Sequence, residues 1–323
     1  MVLTCDNPGM AQTIPAKSET AEIISRDPTT GEEIGRAPLT MPEEVARAAG
    51  RAREAQRAWA ATSFDDRGAL IMKARRIILK ELDQIALLIS RETGKPVAEA
   101  IAMELTPSLD LMQYFARNTS SLLLPQRLQI GLYGLMGRSS YIINKPLGVV
   151  GIISPWNFPW ATPIDEVVMA LMAGNAVVLK PSELTPLTAL KIKSVFSQAG
   201  LADGLLQVVT GDGSTGAALI GAGADKIMFT GSVATGKRVA EAAAQYLIPV
   251  VLELGGKDPM IVLEDANIEN AARGAVWGAF ANAGQACAAV ERCYVHESVA
   301  DKFTKAVVTE TKRLRQSGDR QGD

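Results

Sequence analysis

The sequence predicts an α/β protein built on a parallel sheet with helices packed on both faces. Five short apolar runs recur through the middle of the chain, at Gly148–Ile153, Ala176–Lys180, Leu205–Val209, Lys226–Thr230 and Pro249–Leu252. Segments with helical spacing of apolar residues lie between them, near Ile164–Met172, Pro186–Ala199, Ser214–Ile220 and Thr235–Tyr246. The runs are apolar almost throughout rather than alternating, which is the pattern of strands covered on both faces. At 323 residues the chain has room for this sheet and a second unit.

The elements around this core follow in order. Residues 1–20 are mixed and polar and read as a disordered tail. Thr40, Pro42 and Glu43 form a capping-box pattern that opens a helix to about Ala61. Ser63 and Asp66 repeat the signature before an amphipathic stretch to Thr93, which Gly94 and Pro96 stop. A third helix is expected over about Val97–Arg117. Alternating apolar residues flank Gly134 and Gly137 within Leu128–Ile143, which suggests a hairpin. Beyond the fifth run a new unit starts near Met260. It reads as a strand, a helix from about Ile268 to Asn282, a loop holding Cys287, a strand Arg292–His296 and a helix from Ser298. Gln316–Asp323 is wholly polar and reads as unstructured.

Composition narrows the chemistry. Net charge is −2, charged residues make up 21% of the chain, and Lys and Arg are scattered, so neither a nucleic acid nor an anionic membrane is an expected partner. The three cysteines, Cys5, Cys287 and Cys293, give no disulfide framework and fit a reducing, cytoplasmic setting. The one histidine, His296, rules out a multi-histidine metal site, and no metal is expected. The N-terminus lacks a secretory pattern. The most apolar region, Ile130–Trp156, is interrupted by Arg138 and Lys145 and does not read as a membrane span.

Ligands on open parallel sheets bind beyond the carboxyl ends of the strands. The unusual residues of this chain gather there, and each has two readings. Gly211-Asp-Gly-Ser-Thr-Gly216 matches GxGxxG between a strand and a helix. It falls in the third strand–helix unit, however, with no acidic residue closing a strand about twenty positions on, so a tight turn near a cofactor is favoured over a pyrophosphate cradle. Phe229-Thr-Gly-Ser-Val-Ala-Thr-Gly236 is a better phosphate candidate, or a glycine turn with a serine N-cap. Lys180-Pro-Ser-Glu183 offers a cation and a carboxylate to ribose hydroxyls, or is a solvated loop. In Pro155-Trp-Asn-Phe-Pro159, Asn157 is an oxyanion donor or the polar member of a packed turn. Cys287 is a nucleophile or a small buried apolar residue, and Glu253 is a base for water or an ordinary charged residue. Cys293, in a strand pattern, reads as structural. A thiol and a carboxylate on either side of one predicted helix suggest chemistry through a covalent thio-intermediate.

Taken together in this order, the motifs Pro155–Pro159, Lys180–Glu183, Phe229–Gly236, Leu252–Lys257 and Gly284–Cys287 resemble the NAD(P)-dependent aldehyde dehydrogenase superfamily. Asp27–Gly35 is similar to the family's N-terminal strand and turn, and the resemblance runs from about residue 21 to about residue 315. It implies a Rossmann-like NAD(P)-binding domain over 21–252, interrupted by an oligomerisation hairpin at 128–147, and a partial α/β catalytic domain over 253–323. It makes Cys287 the nucleophile and Glu253 the general base, with Asn157 and the Cys287 N–H as the oxyanion hole. Lys180, Ser182 and Glu183 would hold the adenosine ribose, Gly231 and Ser232 the pyrophosphate, and Gly213 the adenine. Pro155, Trp156, Phe229 and Leu254 would line the cofactor cleft. The implied cofactor is NAD, with NADP possible. Glu183 favours NAD, since a carboxylate accepts from a 2′-hydroxyl and repels a 2′-phosphate.

The implied reaction takes an aldehyde to a carboxylic acid through a thiohemiacetal and a thioester, in a homodimer or homotetramer of the full-length parent. The alternatives are a cofactor-binding fragment without turnover and an enzyme that passes the acyl group to coenzyme A. Glu253 argues against the latter, since activated water would compete. Two departures stand out. Glu166 occupies the place of a lysine found in many members, and the family is substantially longer, so the catalytic domain is expected to be truncated.

Overall fold

In the computed structural model, which describes residues 22–316, the chain opens with an antiparallel pair, β1 (Glu22–Arg26) and β2 (Glu33–Pro38). The expected tails, apart from Gln316, lie outside the described residues. Helix α1 (Pro42–Ala60) starts where the pattern places it, but Thr40 does not cap it. The N-cap is Met41 without a side-chain bond, and Pro42 supplies the preset φ of a first turn. Thr40 instead exchanges hydrogen bonds with Thr210, giving its N–H to the Thr210 carbonyl at 2.8 Å and accepting the Thr210 N–H on Oγ1 at 3.0 Å.

The second capping signal acts as predicted. Ser63 Oγ accepts the Asp66 N–H at 3.1 Å and opens α2 (Phe64–Lys80). The expected single stretch to Thr93 breaks at Glu81, whose φ of −106° and ψ of 18° leave the helical region, and resumes as α3 (Leu82–Thr93). Gly94, at φ +79°, ends α3 in the left-handed conformation that glycine adopts without a Cβ penalty. The third helix is likewise divided, into α4 (Val97–Ala100), a wide π-turn over Ile101–Leu105, and α5 (Thr106–Leu122). Pro107 has no N–H to return to the preceding turn, and the ladder widens just before it. The wide turn holds Glu104, which is wholly buried.

A short antiparallel hairpin follows, of β3 (Gln126–Leu128) and β4 (Ser140–Ile142), with a helical turn α6 (Leu132–Leu135) at its tip. The chain then enters the sheet, alternating β5 (Val149–Ile153), α7 (Ala161–Met172), β6 (Ala176–Lys180), α8 (Pro186–Gln198), β7 (Leu206–Val208), α9 (Gly213–Gly221), β8 (Lys226–Gly231), α10 (Val233–Ala244) and β9 (Val250–Leu254). All five apolar runs become strands of one parallel sheet in the order β7-β6-β5-β8-β9. Burial on both faces explains the composition of the central strands, where Val149, Ile152, Val177 and Val178 have no exposed surface, whereas the edge strand β9 is only partly buried. Truncating Ile152 to alanine at the sheet centre is expected to cost about 2–5 kcal/mol through lost transfer energy and an unfilled cavity. Urea denaturation would check this, and a loss below about 1 kcal/mol would mean that the sheet centre collapses to fill the space.

A second, smaller unit contains β10 (Asp258–Val262), α11 (Ile268–Phe280), β11 (Val290–Val295) and α12 (Ala300–Thr311). Its two strands pair in parallel and pack with the helices around Val262, Ile268, Ala275 and Phe303. Helix α11 ends two residues before the expected Asn282, because Asn282 and Ala283 turn to φ +51° and +56°. Among the described residues, no helix is long and apolar enough to cross a membrane.

Candidate active site

The sheet order fixes where a ligand can bind. From β5 the chain moves to β6 and β7 on one side, then returns to place β8 and β9 on the other. Connections leaving β5 and β8 therefore diverge and open a crevice at their carboxyl ends. A cavity of about 360 Å³ lies there. Its walls are the Pro155–Phe158 turn after β5, Thr230–Ser232 at the end of β8, Glu253–Gly256 at the end of β9, and the Gly284–Cys287 loop of the second unit. Cys287, Glu253 and Asn157 thus face one space, together with Pro155, Trp156, Gly231, Ser232 and Leu254.

The loop carrying Cys287 is held in an unusual shape. Asn282, Ala283 and Gly284 are all left-handed, at φ +51°, +56° and +76°. For Asn282 and Ala283 this is a strained choice, kept only where surroundings enforce it. Asn282 is buried, donating its N–H to Glu99 Oε2 at 3.0 Å and its amide to the carbonyls of Asn157 and Gln285 at 3.1 Å each. Cys287 itself is exposed to the cavity side, which disfavours the reading of a small buried apolar residue. Cys293, expected to be packed in a strand, is instead exposed on β11, because the outward positions of this short parallel pair have no covering layer among the described residues.

Asn157 donates from Nδ2 to the Gln285 carbonyl at 2.9 Å. A carboxamide nitrogen has two N–H groups, so one remains for an anion in the cavity. Glu253 is exposed and sits within β9, opposite Thr230 on β8, rather than beyond the strand end. Behind Thr230 lies Glu166 of α7, 6% exposed, with Oε1 3.5 Å from Thr230 Oγ1. Burial raises the Glu166 pKa to about 8, the Thr230 bond opposes this, and the charges of Asp165 and Glu253 add to it.

The remaining cofactor candidates lie along the same sheet edge but outside the walls around Cys287. Lys180 ends β6 almost wholly buried, with Glu183 Oε2 3.5 Å from its Nζ. Burial lowers the Lys180 pKa, and the Glu183 charge opposes the shift. Ser182 is buried beside them, whereas Glu183 is exposed. Gly213 opens α9, and a side chain there would meet nothing within 4 Å. Asp212 caps that helix by accepting the Ser214 N–H at 2.8 Å, so its own carboxylate occupies the place a pyrophosphate would need. Phe229 is buried rather than lining the cavity, and its ring packs beneath Gly231 and Gly236, where a Cβ on Gly231 would come within 2.6 Å of it. Ser232 caps the 12-residue α10 through the Thr235 N–H at 3.2 Å, and with Gly231 it places the start of that helix next to the cavity wall. A partly desolvated cation beside a carboxylate, a glycine doorway and a free helix start fit the ribose and phosphate groups of a dinucleotide.

Sequence reasoning did not single out Lys95, Glu104, Thr230 and Asn282, all of which shape this site. Their signal was weak, because Lys95 sits within a helix-stop Gly-Lys-Pro and Glu104 interrupts an apolar helix face.

The family to which these features belong is defined by comparison. The aldehyde dehydrogenase family model matches residues 14–323, and the chain belongs to this family. It is 36% identical over 301 residues to the 4,4'-diapolycopene aldehyde oxidase of Methylomonas sp, covering 93% of this chain and 57% of that protein. Among solved structures it superimposes on PnpE of Pseudomonas sp. WBC-3, also solved in complex with nicotinamide adenine dinucleotide, with a TM-score of 0.86 and 36% identity. That match covers 91% of this chain and 60% of PnpE. An NADP-dependent enzyme of E. coli matches with a TM-score of 0.86 and 30% identity, over 91% of this chain and 60% of its own. The chain therefore spans somewhat more than half the length of the relatives it matches.

Proposed function

We propose that this chain carries the cofactor site and the reacting groups of an NAD(P)-dependent aldehyde dehydrogenase. The observation that carries this reading is the meeting of Cys287, Glu253 and Asn157 around one cavity at the point where the strand order reverses. The Cys287 thiolate attacks an aldehyde carbonyl and forms a carbon–sulfur bond. The free N–H of Asn157 and the Cys287 backbone N–H receive the developing oxyanion. A bound nicotinamide supplies the acceptor for the hydride that leaves this carbon. The acyl group then remains on Cys287 as a thioester. Glu253 takes a proton from water, the resulting hydroxide equivalent displaces the thiolate, and the carboxylic acid departs.

Lys180, Ser182 and Glu183 would bind the adenosine ribose, Gly231 and Ser232 the pyrophosphate, and Gly213 the adenine, with Pro155, Trp156 and Leu254 against the nicotinamide half and Phe229 supporting Gly231. The exposed carboxylate of Glu183 favours NAD over NADP. Residues 21–252 form the NAD(P)-binding domain, and 253–323 contribute to the catalytic domain. The 128–147 arm, with Leu132, Tyr133, Leu135 and Met136 all exposed, serves a homodimer or homotetramer.

Trapping tests the reading. The protein is mixed with NAD+ and a panel of short, aromatic and polyene aldehydes, quenched in acid, and digested for mass spectrometry. The expected result is NADH formation together with an acyl mass increment on the peptide containing Cys287. Soluble protein that forms neither with any aldehyde would sink the proposal.

A further inference from the structure

Two of the segments that wall the candidate site, the Pro155–Phe158 turn and the Gly284–Cys287 loop, come from distant parts of the chain, and a buried cation lies against the first. Lys95 follows the left-handed Gly94 and is 3% exposed. Its Nζ lies 2.5 Å from Glu104 Oε1, donates to the Asn157 carbonyl at 2.8 Å, and stands 4.3 Å from the centre of the Phe158 ring. The other oxygen of Glu104 accepts the N–H groups of Trp160 and Ala161 at 2.8 and 3.2 Å, which holds the start of α7. The Asn157 carbonyl therefore has two donors, the Lys95 ammonium and the Asn282 amide at 3.1 Å, and the second belongs to the Cys287 loop. Asn157 and Asn282 also converge on the Gln285 carbonyl, two residues before Cys287.

A buried ion pair is a poor way to gain stability, because desolvation of both charges offsets most of their attraction and apolar side chains would serve as well. Such a pair is better understood as a device that fixes one arrangement among several. Here the arrangement is the register between the Asn157 turn and the strained Asn282–Cys287 loop. We propose that Lys95, held by Glu104, is a positioning residue that locks the Asn157 turn against the Cys287 loop, so that the oxyanion donor and the thiol keep a common register. This rests on the reading of Asn157 and Cys287 as reacting groups. Lys95 does not line the cavity, so its loss acts chiefly on the rate of acylation and only weakly, through the Pro155–Phe158 turn, on cofactor binding.

The double variant Lys95→Met/Glu104→Gln tests this. It removes both buried charges together, leaving neither unpaired, and Gln keeps an amide oxygen for the Trp160 and Ala161 N–H groups. Acylation of Cys287 is expected to slow about 10- to 100-fold through lost alignment, with the dissociation constant for NAD+ changed by less than about twofold. Amide hydrogen exchange is expected to accelerate in residues 281–287 and 155–160 while the sheet strands keep wild-type protection. A purely structural role would raise exchange across the whole molecule, and that result overturns the proposal, as does unchanged exchange in the two loops. The wild-type chain separates the two failures. No adduct on the wild type sinks the dehydrogenase reading and this inference with it, whereas an adduct formed equally fast by both proteins sinks this inference alone.

Discussion

Cys287→Ala is expected to abolish NAD+ reduction, and Glu253→Gln is expected to keep the first turnover while slowing the steady state about 100- to 10,000-fold. In the proposed cycle the two residues act on opposite halves. Without the thiol no carbon–sulfur bond forms, and the Asn157 amide has no tetrahedral oxyanion to receive. Without the carboxylate the thiol still attacks and the oxyanion still collapses, so one equivalent of NADH appears in a burst. The thioester then waits for water that nothing deprotonates. Stopped-flow absorbance would show the burst, and mass spectrometry of the quenched variant would show Cys287 acylated to near completion. Substantial NAD+ reduction by Cys287→Ala would remove the thiol from the mechanism. Loss of the burst in Glu253→Gln would mean that the carboxylate also serves the first half, for example by taking the thiol proton. The backbone of Glu253 is fixed within β9, where it pairs with Thr230 across the sheet.

The sequence made the sheet legible because burial on both faces leaves the central strands apolar almost throughout, and all five runs became strands, the partly buried edge strand β9 among them. The crevice followed, since ligand position on an open parallel sheet depends on topology more than on side chains. Where the reading failed, the cause was tertiary. Thr40 has the chemistry of an N-cap, but the neighbouring strand end offers it two backbone partners and the helix does not need it. The break at Glu81 carries no glycine or proline, and the Glu81 carboxylate is held at 2.6 Å by Lys191, more than a hundred positions away. The π-turn at Ile101–Leu105 shows in the sequence as a misplaced glutamate on an apolar face and a proline just beyond it, neither of which specifies a π-turn. Asn282 was read as the end of a helix. Its left-handed backbone is enforced by Glu99 and Asn157, contacts that no local pattern announces.

Glu166 makes the stability of the fold depend on pH. It lies on α7 with only 6% of its surface exposed, and among the described residues its Oε2 has no hydrogen-bond partner. An ionised carboxylate in that setting is costly, and burial moves its pKa from the ordinary 4.5 to about 8. Burial likewise raises that of its neighbour Asp165 to about 7. In the unfolded chain both acids lose their protons near the ordinary values, so between those values and the folded ones the native state binds more protons. The stability carried by the neutral acids is therefore present in full below about pH 4, declines as pH rises, and is gone above about pH 8. A Glu166 shift of this size corresponds to about 3–5 kcal/mol, shared in part with Asp165 because the two charges interact. Glu166→Gln keeps the shape and removes the titration. The wild type is expected to lose stability steeply between about pH 5 and pH 8, and Glu166→Gln to lose about 3 kcal/mol less over the same range. Urea denaturation at several pH values would measure both slopes. Parallel slopes for the two proteins would show that Glu166 is ionised in the folded state across the range, and that the space behind Thr230 is wet. A shallower slope in the variant would mean that the acid behind Thr230 is neutral near pH 7, and that its negative charge arrives only as the pH passes about 8, at the expense of the fold that holds it.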